Sequence, residues 1–263
     1  MIKKIHAISK LLLFIFCIVT YFLVTIPLYP FYLLKPNLIR KVLIKIIQFY
    51  STLACGFMGI NVISMPINHN HDKKMGRLIV CNHLSYLDIL IICSHFPAAF
   101  VTSVEMRNTP FLGHLCRLAG CLFVDRKNKQ NIGQEVAEIT KGLKNGLDVV
   151  VFPEATSTNG REVLRFRKSL FQASIDSGSS VLPLCLNYRR IEGKSVNQMN
   201  RDLIFWYGDM TFFSHLWKFF NLKNIDVELI IADSIEHGRA KDCIQLANFG
   251  HEIVKSNFIP VEI

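Results

Sequence analysis

The sequence has no closely paired cysteines, and it has fewer acidic than basic residues. Its 8 cysteines are scattered, without a Cys-x-x-Cys pair, so we predict neither a structural zinc or other metal site nor a disulfide framework. Asp and Glu number 20 against 30 Lys and Arg, which gives a formal net charge of +10. Because no nucleic-acid-binding motif accompanies this charge, we expect it to attract anionic lipid or an acidic partner.

Hydrophobic residues, by contrast, are abundant. They make up 51% of the 263 residues, and the mean hydropathy is +0.30. A chain of this length can bury one good-sized core. Much of the apolar excess lies near the N-terminus, so we predict membrane-associated helices in residues 1–60 and one globular domain in residues 61–263.

The longest apolar run covers residues 11–34 and has basic residues on both sides. As a helix it would extend about 36 Å, enough for a hydrocarbon core of about 30 Å, but Pro27 and Pro30 interrupt it. We favour a helix that enters one leaflet, kinks at the prolines and returns, followed by an amphipathic interfacial helix over residues 40–58. The alternatives are a complete span and a signal peptide, although the sequence offers no small-x-small cleavage site.

From about residue 75, short apolar runs alternate with helical patterns, which is typical of an α/β fold. We predict a mixed β-sheet flanked by helices. The predicted strands cover residues 78–80, 99–101, 122–124, 149–152, 181–184, 203–206 and 227–231, and the predicted helices cover residues 109–120, 131–143 and 240–255. The polar motifs fall where these strands end, the usual place for a ligand in such a sheet.

His83 precedes Asp88 by five positions, a spacing that a continuous helix cannot use. Five helical residues turn about 500°, which would leave the two side chains roughly 140° apart. The sequence instead predicts a strand over residues 77–81, and a helix with Ser85 as its N-cap and Asp88 closing a capping box. His83 then lies in the corner between strand and helix. The alternative is that Asp88 merely caps the helix and His83 is an ordinary loop residue.

Three further blocks follow this motif along the chain. They are G-C-L-F-V-D-R at residues 120–126, V-F-P-E-A-T-S at residues 151–157 and V-L-P-L at residues 181–184. In their order and spacing, the four blocks resemble the glycerolipid acyltransferases, in particular the lysophosphatidic acid acyltransferase family, over most of residues 40–210. The third block departs from the family form F-P-E-G-T-R-S, because Ala155 replaces the glycine and Ser157 replaces the arginine.

The resemblance implies an enzyme that moves a fatty acyl group from acyl-CoA or acyl-carrier protein to the hydroxyl of 1-acylglycerol 3-phosphate. The donor is a co-substrate, and no cofactor is expected. Another lysolipid acceptor, such as lyso-ornithine lipid or lysophosphatidylcholine, is an alternative, and so is a non-catalytic lipid-binding membrane protein. We expect a membrane location with the active site facing the cytoplasm, at the inner membrane if the source is bacterial.

In this interpretation His83 is the general base and Asp88 fixes its tautomer. Arg126 is expected to bind a phosphate, Glu154 and Thr156 to organise the acceptor site, and Asn82 or backbone N–H groups to steady the oxyanion. Cys81 and Ser85 are alternative covalent nucleophiles. Arg165, Arg167 and Lys168 are candidates to replace the charge of the missing arginine. The aromatic residues 205–217 are expected to line an acyl channel, to rest on the membrane or to form part of the core.

Overall fold

A computed structural model describes residues 2–66, 75–124 and 132–262. At its centre is an eight-stranded sheet. The strands are β1 (Ile60–Pro66), β2 (Leu78–Cys81), β3 (Ala98–Ser103), β4 (Leu122–Val124), β5 (Asp148–Val151), β6 (Val181–Ile191), β7 (Lys194–Ser195) and β8 (Ile225–Ile231). Their order is β1-β8-β6-β2-β5-β3-β4, with β7 paired to β6. Because β8 runs antiparallel to β6 and parallel to β1, the sheet is mixed, as predicted.

Ten α-helices are found in the described part of the chain. They are α1 (Ile2–Thr25), α2 (Tyr29–Leu34), α3 (Pro36–Met58), α4 (Leu87–His95), α5 (Val104–Asn108), α6 (Leu112–Leu118), α7 (Ile132–Lys144), α8 (Gln172–Ser177), α9 (Phe212–Phe220) and α10 (Cys243–Asn257). The predicted helices over residues 109–120, 131–143 and 240–255 correspond to α6, α7 and α10.

The central strands are buried on both faces. Along β2, Ile79 and Cys81 join the core beneath α4 and α9, whereas Leu78 and Val80 join the core beneath α7, α8 and α10. All four side chains are fully buried, as expected of a parallel strand covered on both sides by helices. Two hydrophobic layers therefore fix β2, and with it the polar segment that follows Cys81.

The N-terminal helices form a hairpin. Rings of Tyr21 in α1 and Tyr50 in α3 pack edge to face with centroids 5.4 Å apart, and the chain turns through a 3-10 helix, Ile26–Leu28, and α2. The turn thus falls at the two prolines, as predicted, and α3 begins earlier than the predicted residue 40. Residues 5–34 and α3 are each long and apolar enough to cross a membrane, and this favours membrane association.

A buried lysine ties the hairpin to the rest of the fold. The Lys10 ammonium donates to the carbonyl of Met58, at the end of α3, and to that of Leu222, just beyond α9, at 2.7 Å. Carbonyls at helix C-termini carry partial negative charge, which favours a cation there. Burial nevertheless lowers the pKa of Lys10 to about 8, with Glu192 acting in the opposite direction. The first half of α1 is therefore packed against the globular part.

One predicted strand is wrong, and one observed strand was not predicted. Residues 203–206 were predicted as a strand, but they follow and partly overlap a 3-10 helix, Arg201–Leu203, and Ile204 and Phe205 are buried in the core without strand pairing. Strand β1 was not predicted, because Ile63 and Met65 on this edge strand are about half exposed and show no clear alternation with polar residues.

Candidate active site

His83 lies in the corner between β2 and α4. Its Nδ1 is 2.9 Å from Oδ2 of Asp88, which sits in the first turn of α4. The Asp88 side chain is fully buried, whereas the His83 side chain is 20% exposed. The predicted strand-to-helix corner is confirmed, and it leaves the imidazole partly exposed.

The Asp88 carboxylate is saturated with donors. Besides His83 Nδ1, its Oδ2 accepts the backbone N–H groups of Leu84 at 2.7 Å and Ser85 at 3.0 Å. Its Oδ1 accepts the Tyr188 hydroxyl at 2.7 Å. Burial, with the Asp88 charge adding to it, raises the pKa of Tyr188 far above its usual value, so the phenol stays a donor. A carboxylate that accepts from every neighbour leaves Nδ1 of His83 as the protonated ring nitrogen.

The capping prediction for Ser85 was wrong in part. The N-cap of α4 is Tyr86, and the buried Ser85 hydroxyl has no hydrogen-bond partner among the described residues. Asp88 does accept the N–H of Ser85, which is the reciprocal half of a capping box. Capping the turn and orienting His83 are therefore not alternatives, because one carboxylate oxygen does both.

The segment after β5 holds His83 from the other side. The ring of Phe152 stacks on the imidazole, with centroids 4.0 Å apart and planes 15° apart. Glu154 Oε1 accepts the backbone N–H of His83 at 2.8 Å, and the N–H of Thr158 donates to the His83 carbonyl at 2.9 Å. This one segment therefore fixes the ring, the N–H group and the carbonyl of His83.

Glu154 is buried and bonded to backbone. Its second oxygen accepts the N–H of Leu164 at 2.7 Å, so the carboxylate bridges the His83 corner and the loop at Leu164. Burial raises the pKa of Glu154 to about 7, opposed by the N–H groups of Leu164 and His83 and assisted by Asp88. This geometry makes Glu154 a positioning group. Arg126, the residue predicted to bind a phosphate, lies outside the described residues.

Asn82 is also engaged within the fold. Its Oδ1 accepts the N–H of Leu186 at 2.8 Å, and its Nδ2 donates to the carbonyl of the same residue at 3.0 Å. The side chain is 1% exposed. The Asn82 amide thus joins the end of β2 to β6, and its predicted contact with the oxyanion stays a prediction. Tyr188 stands two positions further along β6, on the same face, and so reaches Asp88.

Comparisons with known proteins show what this chain is similar to. Residues 63–187 match the model of a family described as Acyltransferase. A lyso-ornithine lipid O-acyltransferase of Rhizobium meliloti is 28% identical over 194 residues, which cover 71% of this chain and 65% of the relative. A 1-acyl-sn-glycerol-3-phosphate acyltransferase of Neisseria gonorrhoeae is 30% identical over 168 residues, which cover 63% and 64%. Over these residues the chain is similar to acyltransferases that act on lysolipids.

A solved structure shows the same fold. The crystal structure of a 1-acyl-sn-glycerophosphate acyltransferase from Thermotoga maritima aligns with a TM-score of 0.61 at 21% identity, covering 95% of this chain and 94% of that one. The predicted acyltransferase-like fold is confirmed. The chain spans slightly less than two thirds of the length of the two curated relatives described above.

The covalent alternatives fit the geometry of this corner poorly. Cys81 is fully buried in the core, and burial raises the pKa of its thiol well above the usual value. Thiolate is the nucleophilic form of cysteine, so this environment opposes attack by Cys81. The Ser85 hydroxyl is equally buried. His83 is the partly exposed member of the corner.

The family segment after Glu154 lies nearer the surface. Thr156 is exposed, and its hydroxyl donates to the Ser157 carbonyl at 3.3 Å. Ser157 is half-buried, while Arg165, Arg167 and Lys168 are all exposed. These three basic side chains are accessible to an anion.

The aromatic segment 205–217, for which core was one of the predicted roles, packs on the far side of the corner. The N–H of Trp206 donates to the carbonyl of Leu84 at 3.0 Å, and the Tyr86 hydroxyl lies 3.0 Å from Nδ1 of the buried His215. Much of the segment 205–217 is core, but Phe213 is 83% exposed. Tyr188 was missed by sequence reasoning, although the alternation of β6 beyond Pro183 was the available signal.

The backbone conformation at position 155 explains why many family members have a glycine there. Ala155 has φ +62°, in the left-handed region that glycine adopts without strain. Its N–H closes a turn onto the carbonyl of Phe152 at 3.0 Å. The strained residue directly follows Glu154, so the conformation is imposed where the segment wraps around His83.

Ala155→Gly should therefore stabilise the protein by about 1 kcal/mol. A left-handed alanine is strained by about 1–2 kcal/mol, and the extra chain entropy that glycine loses on folding cancels only part of the strain that is relieved. Thermal unfolding measures the change. Ala119→Gly is the matched control, since Ala119 has φ −74°, and it should lose stability. Equal shifts in the two variants would contradict the assignment of strain to Ala155.

Proposed function

We propose that this protein transfers a fatty acyl group from acyl-CoA or acyl-carrier protein to the free hydroxyl of 1-acyl-sn-glycerol 3-phosphate, producing phosphatidic acid. The observation that carries the proposal is the His83 and Asp88 pair. Because Nδ1 donates to a buried carboxylate 2.9 Å away, Nε2 of the partly exposed ring keeps its lone pair.

The proposed reaction has two steps. Nε2 of His83 takes the proton of the acceptor hydroxyl as the oxygen attacks the thioester carbonyl, and Asp88 stabilises the imidazolium that forms. The tetrahedral intermediate then collapses, the carbon–sulfur bond breaks, and the leaving thiolate takes the proton from His83. The products are the ester and the free thiol, and the reaction as proposed uses no cofactor.

The remaining roles follow from position. We assign Glu154, Phe152 and Tyr188 to holding His83 and Asp88 in place. Arg126 and Thr156 remain the proposed contacts for the acceptor, Arg126 through its phosphate. A non-catalytic lipid-binding protein would have no need for an imidazole fixed by a fully bonded carboxylate, and this favours an enzyme.

The membrane supplies the acceptor in this proposal. The apolar hairpin of α1 and α3 would bring the site to the lipid surface, and we place that site on the cytoplasmic side. Exposed Arg161, Arg165 and Arg167 in the loop that Glu154 contacts would attract anionic headgroups.

A second acceptor is favoured by one observation. Ser157 stands where many family members have an arginine, which removes one cation from the segment that follows Glu154. A relative named lyso-ornithine lipid O-acyltransferase matches this chain about as well as the relative named for 1-acylglycerol 3-phosphate. Lyso-ornithine lipid is therefore the second candidate acceptor.

His83→Ala should lower acyl transfer by about 10² to 10⁴-fold, because it removes the general base. The variant should stay folded, since the ring is partly exposed. His95→Ala is the matched control: His95 lies at the other end of α4, where Nδ1 is near the Ile91 carbonyl, and its loss should leave the rate near that of the wild type. Initial rates with purified protein provide the test, and His83→Ala activity within tenfold of wild type would refute the mechanism.

A panel of lysolipids assayed with both donors tests the acceptor. The proposal predicts the fastest transfer to 1-acylglycerol 3-phosphate, and Arg126→Ala should lower kcat/KM for it by the equivalent of about 2 to 4 kcal/mol. Arg239→Ala is the control for net charge, because Arg239 is an exposed residue outside the motifs. Faster acylation of lyso-ornithine lipid, unaffected by Arg126→Ala, would replace the proposed acceptor.

A further inference from the structure

A separate cavity lies where the N-terminal hairpin meets α6. Its volume is about 580 Å³, within the usual range for small-molecule pockets. We call it the hairpin pocket. Its walls include Phe22, Ile26 and Tyr29 from the hairpin and Phe111, His114 and Arg117 from the segment of α6. These residues differ from the ones that contact His83 and Asp88 in the described structure.

The pocket combines apolar walls with a basic end. His114 and Arg117 are three positions apart on α6, which places them on one face of the helix. Among the residues that the structure describes, none forms a hydrogen bond or ion pair with the Arg117 guanidinium. A guanidinium with no acceptor among the described residues, beside aromatic and aliphatic walls, fits a ligand that carries an anion on a hydrocarbon body.

A second arginine adds positive charge beside the pocket. The Arg40 guanidinium donates to the Tyr32 hydroxyl at 2.9 Å, and the Tyr32 ring stacks on Tyr29 of the pocket wall with centroids 6.4 Å apart. The buried Nε of Arg40 has no partner among the described residues. Arg40 therefore places a second guanidinium, only partly bonded within the described structure, next to the residues that line the pocket.

Backbone strain marks the same place. Phe111, just before α6, has φ +63°, an unfavourable conformation for an aromatic residue. Its ring packs against Phe22 of α1 with centroids 5.3 Å apart, although 56% of the residue is exposed. Strained residues of this kind collect at ligand clamps. Here the strained backbone of Phe111 places its ring between the hairpin and α6.

We propose that the hairpin pocket binds a phosphate-bearing lipid. Its phosphate would lie at Arg117 and His114, and an acyl chain would run along Phe22 and Ile26. The location suits such a ligand, because the neighbouring turn of the hairpin exposes apolar side chains, including Leu34 at 78%. The lipid is either a phospholipid of the bilayer or the lysophospholipid acceptor, since both present the same chemistry.

Lipid binding to the full-length protein in detergent tests the proposal, with no acyl donor present, so the result does not depend on the proposed activity. Native mass spectrometry would compare dioleoyl phosphatidic acid with dioleoylglycerol, which has the same chains and no phosphate. Phosphatidic acid should bind more tightly. Arg117→Gln should weaken the binding of phosphatidic acid about tenfold or more. Ile26→Trp should also weaken it, because the larger side chain fills the apolar part of the hairpin pocket while the charge stays the same.

Arg239→Gln is the matched control, because it removes one exposed charge far along the chain from the pocket. Equal weakening by Arg239→Gln and Arg117→Gln, or equal binding of the two diacyl lipids by the wild type, would overturn the proposal. Thermal unfolding of each variant verifies folding. A parallel titration with 1-oleoylglycerol 3-phosphate separates the sources: tighter binding of the lysolipid identifies the acceptor, and tighter binding of phosphatidic acid identifies a bilayer lipid.

Discussion

The arrangement of the site depends on one buried carboxylate. Asp88 accepts from His83, from the backbone of Leu84 and Ser85, and from the Tyr188 hydroxyl. An ionised carboxylate in a dry interior is costly unless its lone pairs are filled. The four donors meet that requirement, and because one of them is the imidazole, the constraint that keeps Asp88 stable also fixes the ring.

Side chains and backbone groups from distant parts of the chain together hold the corner around His83 in place. Asn82 fixes the end of β2 to β6, and Glu154 ties the His83 N–H to the loop at Leu164. Trp206 fastens the Leu84 carbonyl on the other side. An imidazole held this way loses little orientational freedom when a substrate binds, which is the main contribution that a scaffold makes to general-base chemistry.

The corner was predictable from sequence because its information is local. A strand, a five-residue spacing and an acidic residue in the first helical turn fall within residues 77–88. Tyr188 was not predictable in the same way, since it reaches Asp88 across 100 positions through the pairing of β6 with β2. Residues 203–206 show the converse limit, because a short apolar run has the same composition whether it pairs in a sheet or packs as irregular core.

Local rules also failed where tertiary contacts outweighed them. Ser85 is a favourable N-cap residue by type, yet Asp88 takes the N–H groups of Leu84 and Ser85, and the helix begins at Leu87. Ala155 keeps a left-handed conformation despite its Cβ, because the turn around His83 requires it. Both departures occur within the site, where function competes with local preference.

The tautomer of His83 tests the central claim most directly. Nitrogen-15 spectra of histidine-labelled protein, with His83 assigned from the spectrum of His83→Gln, report which ring nitrogen carries the proton when the ring is neutral. The account predicts a proton fixed on Nδ1 and a free lone pair on Nε2, because Asp88 accepts at Nδ1. A neutral ring protonated on Nε2, or exchanging between the two forms, would contradict it.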